Sequence, residues 1–177
     1  LDMKVKNLEE FKTEILNRMK KEVSIQQDDL TKESIYETLL KMNKVQVPQV
    51  TVKEQSELMR KDALMRSGQK PEEASDDLFP IDSFSDNAEK RVKLDLLFAE
   101  YVKYFDIKIE KSDIDNHIES ESKKYKDPSQ FKQWINNQPQ QLEQFKMIVI
   151  EKKLIEKLKN VLKSSNKMIK FSELANR

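Results

Sequence analysis

The sequence predicts an all-α, elongated fold, and three observations carry that prediction. The chain of 177 residues holds a single glycine, so left-handed turns are scarce and most of the chain must run as helix between short polar or proline-marked breaks. Apolar residues recur at spacings of three and four over long stretches, the period of one helix face. The 33 Lys and Arg residues interleave with the 32 Asp and Glu residues instead of forming blocks, the pattern of solvated helix faces laced with ion pairs one turn apart.

The first helix is expected from Leu8 to about Met42. Leu8, Phe11, Ile15, Met19 and Val23 form its first stripe, and Leu30, Ile35, Leu39 and Met42 the second. The polar stretch Gln26 to Asp29 interrupts the stripe without Gly or Pro, which predicts one continuous helix with an exposed middle. The segment Val45 to Pro48 reads as extended, with Pro48 in the first turn of a second helix that ends at Gly68, a residue suited to the left-handed C′ position. Residues 68–80, with two prolines and four acids, form a loop and the one internal boundary.

From Ile81 to Phe105 comes the densest apolar stretch, expected to be the buried centre because nearly every face is apolar. Ser112 or a neighbour caps a further helix through Ile114, Ile118 and Tyr125. Asp127 followed by Pro128 starts a short helix with an N-cap carboxylate and a proline at its first position; it carries Phe131, Trp134 and Ile135 and ends near Pro139. Met147, Ile150, Leu154, Leu158 and Val161, flanked by Ile148, Ile155 and Leu162, mark the last long helix. The tail from Met168 reads as a short extended piece and then a helical turn capped by Ser172. The expected organisation is one domain over 1–177: a connecting helix (1–45), a helix with its acidic loop (46–80), and a central helix, arm helices and tail (81–177).

Composition excludes several function classes. There is no cysteine, hence no thiol nucleophile or thiolate metal site, and one glycine cannot build a phosphate-cradling loop. Charged residues make up 37% of the chain, which raises the question of disorder. Leu, Ile, Val and Phe still reach about 27% and the net charge is only +1, on the folded side of that boundary. The balanced charge gives no basic footprint for nucleic acid. No apolar run approaches the roughly 18 residues of a membrane span. The missing initiator Met at Leu1 points to a fragment of something longer.

His117 lies four residues from both Asp113 and Glu121, but a lone histidine beside carboxylates on a charged helix reads as a surface ion pair. A calcium loop starting at Asp113 fails at its sixth and twelfth positions, occupied by Ile118 and Lys124. The acid pairs Glu72 with Glu73 and Asp76 with Asp77 sit in a loop with nothing to raise a carboxyl pKa. Catalytic, metal and cofactor residues are therefore expected to be none. A surface remains: Tyr125, Phe131, Trp134 and Ile135 either pack a core or present an aromatic edge on a short helix, with Met59 and Met65 as adaptable apolar side chains of the same use.

The order of these elements resembles a known family. The first helix ending in Val45-Gln46-Val47-Pro48, the helix from Pro48 to Gly68, Phe79-Pro80, the dense central helix, Asp127-Pro128, the polar stretch 136–145 and the closing 171–177 are together similar to the C-terminal domain of bacterial trigger factor. The resemblance implies a body with helical arms, shared in outline with SurA-type periplasmic chaperones. It also implies an ATP-independent chaperone domain of the bacterial cytoplasm that cradles unfolded or nascent polypeptides without a cofactor. Ribosome docking belongs in that family to an N-terminal domain and prolyl isomerisation to a middle domain; neither is expected in this chain.

On the resemblance, Tyr125, Phe131, Trp134 and Ile135 fall where the second arm tip presents apolar side chains to clients. Micromolar binding requires about 8 kcal/mol net against an association cost on the order of 4 to 15 kcal/mol, hence roughly 500 to 900 Å² of apolar contact. One tip is too small, so several patches must act together. A helical adaptor with one defined partner and a periplasmic SurA-type chaperone are the competing expectations.

Overall fold

The computed structural model describes residues 7–75, 77–165 and Met168. Six α-helices and one 3₁₀ turn account for the regular structure of these residues. Helix α1 runs unbroken from Leu8 to Met42, and the Asn7 side chain accepts the Glu10 N–H at 2.8 Å as its N-cap. Burial on α1 is confined to its second half, where Ile35 and Leu39 are buried; Leu8, Leu16 and Ile25, and Met42 at the end of the helix, are exposed.

Helix α2 spans Gln49–Arg66, with Pro48 as the N-cap instead of inside the first turn. Gly68 ends it at φ +77, and the Gln69 N–H bonds to the Leu64 carbonyl at 2.9 Å, the six-to-one closure of a Schellman turn. The Arg60 guanidinium then gathers the following loop by donating to the carbonyls of Phe79 at 2.9 Å and Ser75 at 3.0 Å. Phe79 sits there at φ +56.

The dense stretch is not one helix. A 3₁₀ turn at Ile81–Phe84 precedes α3, Ser85–Tyr104. Helix α3 is central, packing against α1, α2 and α6, yet it is not buried all round: Leu96 and Tyr104 are 45% and 79% exposed. Its neighbours cover only part of its circumference, so one apolar sector stays bare. Asp106, at φ +48, closes its end as Gly68 closes α2, with the Ile107 N–H on the Val102 carbonyl at 2.9 Å.

Helix α4, Lys111–Ser122, is capped by Glu110 in a reciprocal box with Asp113, whose carboxylate accepts the Glu110 N–H at 2.7 Å. Helices α5, Pro128–Asn136, and α6, Pro139–Val161, follow. The last helix thus begins eight residues before Met147, and its buried face is Val149, Leu154, Ile155 and Leu158, with Met147 and Val161 exposed. The expected tail beyond Met168 lies outside the described residues.

Two lobes share a body. The body core joins Ile35 and Leu39 of α1, Leu97 of α3, and Leu154, Ile155 and Leu158 of α6. Polar links fix the register of α1 against α6: Glu151 accepts from Lys32 at 2.5 Å and from the Tyr36 hydroxyl, and Lys159 reaches Asp28 at 3.2 Å. Burial pushes the Glu151 carboxyl up, but its hydrogen bonds from Lys32 and Tyr36 outweigh that and hold it below its ordinary value. One lobe is α2 against α3 and the 3₁₀ turn; the other is α4, α5 and the start of α6.

Candidate functional site

The site is at the tip of the second lobe, and its local structure follows from the sequence. Asp127 Oδ1 accepts the N–H groups of Ser129 and Gln130, both at 3.0 Å, and Pro128 occupies the first helical position. These fix where α5 starts and therefore which way its faces point. Ile135 is fully buried and anchors α5. Phe131, four residues earlier, is half-buried, and Trp134 is 48% exposed.

Tyr125 comes from the turn after α4, closed by the Tyr125 N–H on the Ser122 carbonyl at 3.0 Å. Its ring stacks on Phe131 with centroids 4.1 Å apart and planes 17° from parallel, while the residue as a whole stays 54% exposed. Trp134 lies 6.2 Å from Phe131. Phe145 of α6 supports Phe131 from the inner side at 6.3 Å, and His117 of α4 packs on Phe145 at 5.4 Å.

Tyr125, Phe131 and Trp134 border a shallow, open depression of about 810 Å³. Gln130, Gln133 and Asn137 complete its α5 wall, and Lys126 and Asp127 contribute one charge of each sign. Opposite charges tie the lobe's helices together: Lys132 pairs with Glu119 across α5 and α4, and at the far end of α4 Lys153 of α6 meets Asp113 at 2.5 Å. Both carboxyls are held below their ordinary values by the hydrogen bond from the lysine.

His117 is half-buried, with Lys152 Nζ 3.3 Å from Nδ1. Burial first, and then the Lys152 charge, push its pKa below the ordinary value. The Glu121 charge still acts on the ring, as the spacing suggests, but an arene and an ammonium are its direct neighbours: Asp113 is engaged by Lys153, and Glu121 also pairs with Lys124 at 2.8 Å.

The six apolar residues singled out from the sequence do not form one surface. Tyr125, Phe131 and Trp134 come together; Ile135 lies beneath them as core, because a nine-residue helix needs one residue wholly inside to hold it. Met59 is half-buried and Met65 57% exposed on α2, whose helix partners among the described residues are α3 and the 3₁₀ turn. Phe145 and the three amides of α5 were missed. Phe145 falls four residues before Val149 on the inward stripe of α6, a signal obscured when that helix is started at Met147. A second, smaller depression of about 270 Å³ lies between α1 and α3, lined by Asn43, Leu97, Glu100, Tyr101 and Tyr104.

The tip's side chains are arenes, amides, an ammonium and a capping carboxylate, and such a set binds by contact and hydrogen bonding. No helix among the described residues is long and apolar enough to cross a membrane.

Comparison with known proteins agrees with this architecture. Residues 7–160 match the family described as bacterial trigger factor protein C-terminus. The chain is 28% identical over 170 residues to the trigger factor of Shewanella woodyi, covering 96% of this chain and 39% of that protein. It is 29% identical over 169 residues to that of Azotobacter vinelandii, covering 94% and 38%. The chain therefore spans about two-fifths of the length of the curated relatives it matches, and the part it matches is their C-terminal region. By the extent of that match, the chain belongs to the bacterial trigger factor C-terminus family.

Proposed function

We propose that this chain is a chaperone domain that holds unfolded or nascent polypeptide on shallow apolar patches, without ATP, cofactor or covalent chemistry. The observation that supports it best is the stacked aromatic trio Tyr125, Phe131 and Trp134, part exposed around an open depression of balanced charge. Buried aromatic rings in a stable core do not leave half their surface in water; rings that do are suited to transient apolar contact.

The trio offers on the order of 250 Å² of apolar surface, from aromatic side chains of 150–250 Å² each. That is half or less of the contact micromolar binding demands. The depression beside Tyr104 and the exposed side chains Val50, Leu58 and Met65 of α2 supply further patches, so a client is held by several weak contacts on one chain. On this reading, ribosome contact belongs to the part of the relatives' length that this chain does not span, and the site of action is the bacterial cytoplasm.

The test is aggregation of several unrelated unfolded proteins, without ATP, in the presence of this chain or its Tyr125→Ala/Trp134→Ala variant. Protection of several clients, weakened two- to tenfold in the variant, is expected from losing one patch among several. Protection of none would sink the reading. Loss of one tight complex, with other clients untouched, would make the tip the hot spot of an adaptor instead.

A further inference from the structure

We propose that Gln130, Gln133 and Asn137 form an amide row that binds the unpaired backbone of an extended client segment, so that the tip selects for unfolded chain and not only for apolar side chains. The proposal rests on the holding function above and names what the same site recognises. Along α5 the sectors of the helix follow in order: Ile135 inside, then Phe131 and Trp134, then Gln130, Asn137 and Gln133. The amides therefore run beside the aromatic row on the same depression.

The chemistry of that depression leaves them this task. Its carboxylate, Asp127, is already engaged by two backbone N–H groups at 3.0 Å, and Lys126 is its other charged group. A client strand laid on the rings loses water from its peptide N–H and C=O groups, and these must find partners or the contact is lost. Side-chain amides both donate and accept, so they satisfy either peptide group without fixing the client's sequence or direction. All three are exposed residues.

The dimensions agree. Gln130 to Asn137 is two turns, about 10.5 Å along the helix axis at 1.5 Å per residue, the reach of roughly three residues of extended chain at about 3.3 Å each. A helix or a strand already paired in a sheet has its backbone bonds satisfied and gains only the apolar part of the contact. A client would thus lose affinity for the tip as its own secondary structure forms, which gives a route to release without nucleotide hydrolysis.

A short unstructured peptide with a central Phe-Leu pair, and esters replacing single amides around that pair, separates the two ideas. Each ester removes one N–H and weakens one acceptor while keeping the peptide's shape. Binding to the full 177-residue chain is read by anisotropy and by fluorescence of Trp134, the sole tryptophan. The expected result is a loss of about two- to tenfold per central ester. The Gln130→Ala/Gln133→Ala/Asn137→Ala variant should bind the parent peptide more weakly and lose its sensitivity to esters.

Esters that bind like the parent overturn the proposal while leaving the holding function intact, as does a triple variant that keeps the ester effect. A parent peptide that neither binds at millimolar concentration nor changes Trp134 fluorescence overturns the proposal, while the holding function, which calls on several patches at once, stands or falls on the aggregation assay. Circular dichroism checks that the triple variant keeps its helices; if it does not, the ester series on the unchanged chain decides.

Discussion

The seam where α1, α3 and α6 meet and the tip built by α4, α5 and the start of α6 are both helix packings, but they use different side chains. The seam buries branched aliphatics, Ile35, Leu39, Leu97, Leu154, Ile155 and Leu158, with aromatic rings only around their margin. The tip buries one large residue of α5, Ile135, and leaves its rings at the surface. Aliphatic side chains interlock in defined rotamers and gain most when wholly enclosed. Flat rings retain a usable face when only one side is covered. The contrast puts stability in the seam and leaves the tip the exposed ring faces on which the proposed holding function depends.

The largest expected effect tests the seam. Leu154→Ala should cost about 3–5 kcal/mol in urea unfolding, because Leu154 is 0% exposed in the shared core. Ile135→Ala, equally buried, should cost less, about 2–4 kcal/mol, and should act locally: α5 amides lose hydrogen-exchange protection while those of α1 and α6 keep theirs. Equal, global losses from both would erase the distinction between seam and tip.

A smaller effect sharpens it. Asp127→Ala removes the cap that starts α5 and should cost about 1 kcal/mol, seen as a red shift of Trp134 emission with the body's unfolding midpoint nearly unchanged. The smallest is a pH effect. His117 is held below its ordinary value of 6.5 in the folded chain, so the unfolded chain takes up its proton first as pH falls. Stability from this group is full above 6.5, declines as pH drops through it, and levels off below the folded-state value. The ring is part exposed and solvent screens the interaction. His117→Gln should therefore flatten only a shallow part of the stability profile between pH 7.5 and 5.5; a profile identical in the variant would show that the ring does not contribute.

Much of the fold was legible because its signals are local. An uninterrupted run without Gly or Pro gave the 35 residues of α1, Gly68 marked the end of α2, and Asp127-Pro128 the start of α5. The misses are tertiary. Periodicity puts Leu8 and Phe11 in one apolar stripe of α1 and Leu39 in another, but only the placement of α3 and α6 determines that Leu39 is covered and Leu8 is not. Likewise Leu96 and Tyr104 extend an apolar run without being core. At the tip, residue type picked out Tyr125, Phe131 and Trp134, whereas the buried status of Ile135 and the supporting place of Phe145 depend on how α6 passes beneath α5. The separation of Met59 and Met65 from that cluster is a matter of lobes, which spacing along a chain does not encode.

The Arg60 grip on the loop after α2 has a practical corollary. Its bonds to Ser75 and Phe79 end on main-chain oxygens, which every amino acid supplies. The Leu78 side chain can therefore be exchanged for a label, purification tag or crosslinker while the path of the chain is kept, making this loop a natural handle for tethering the domain to a surface and watching it one molecule at a time.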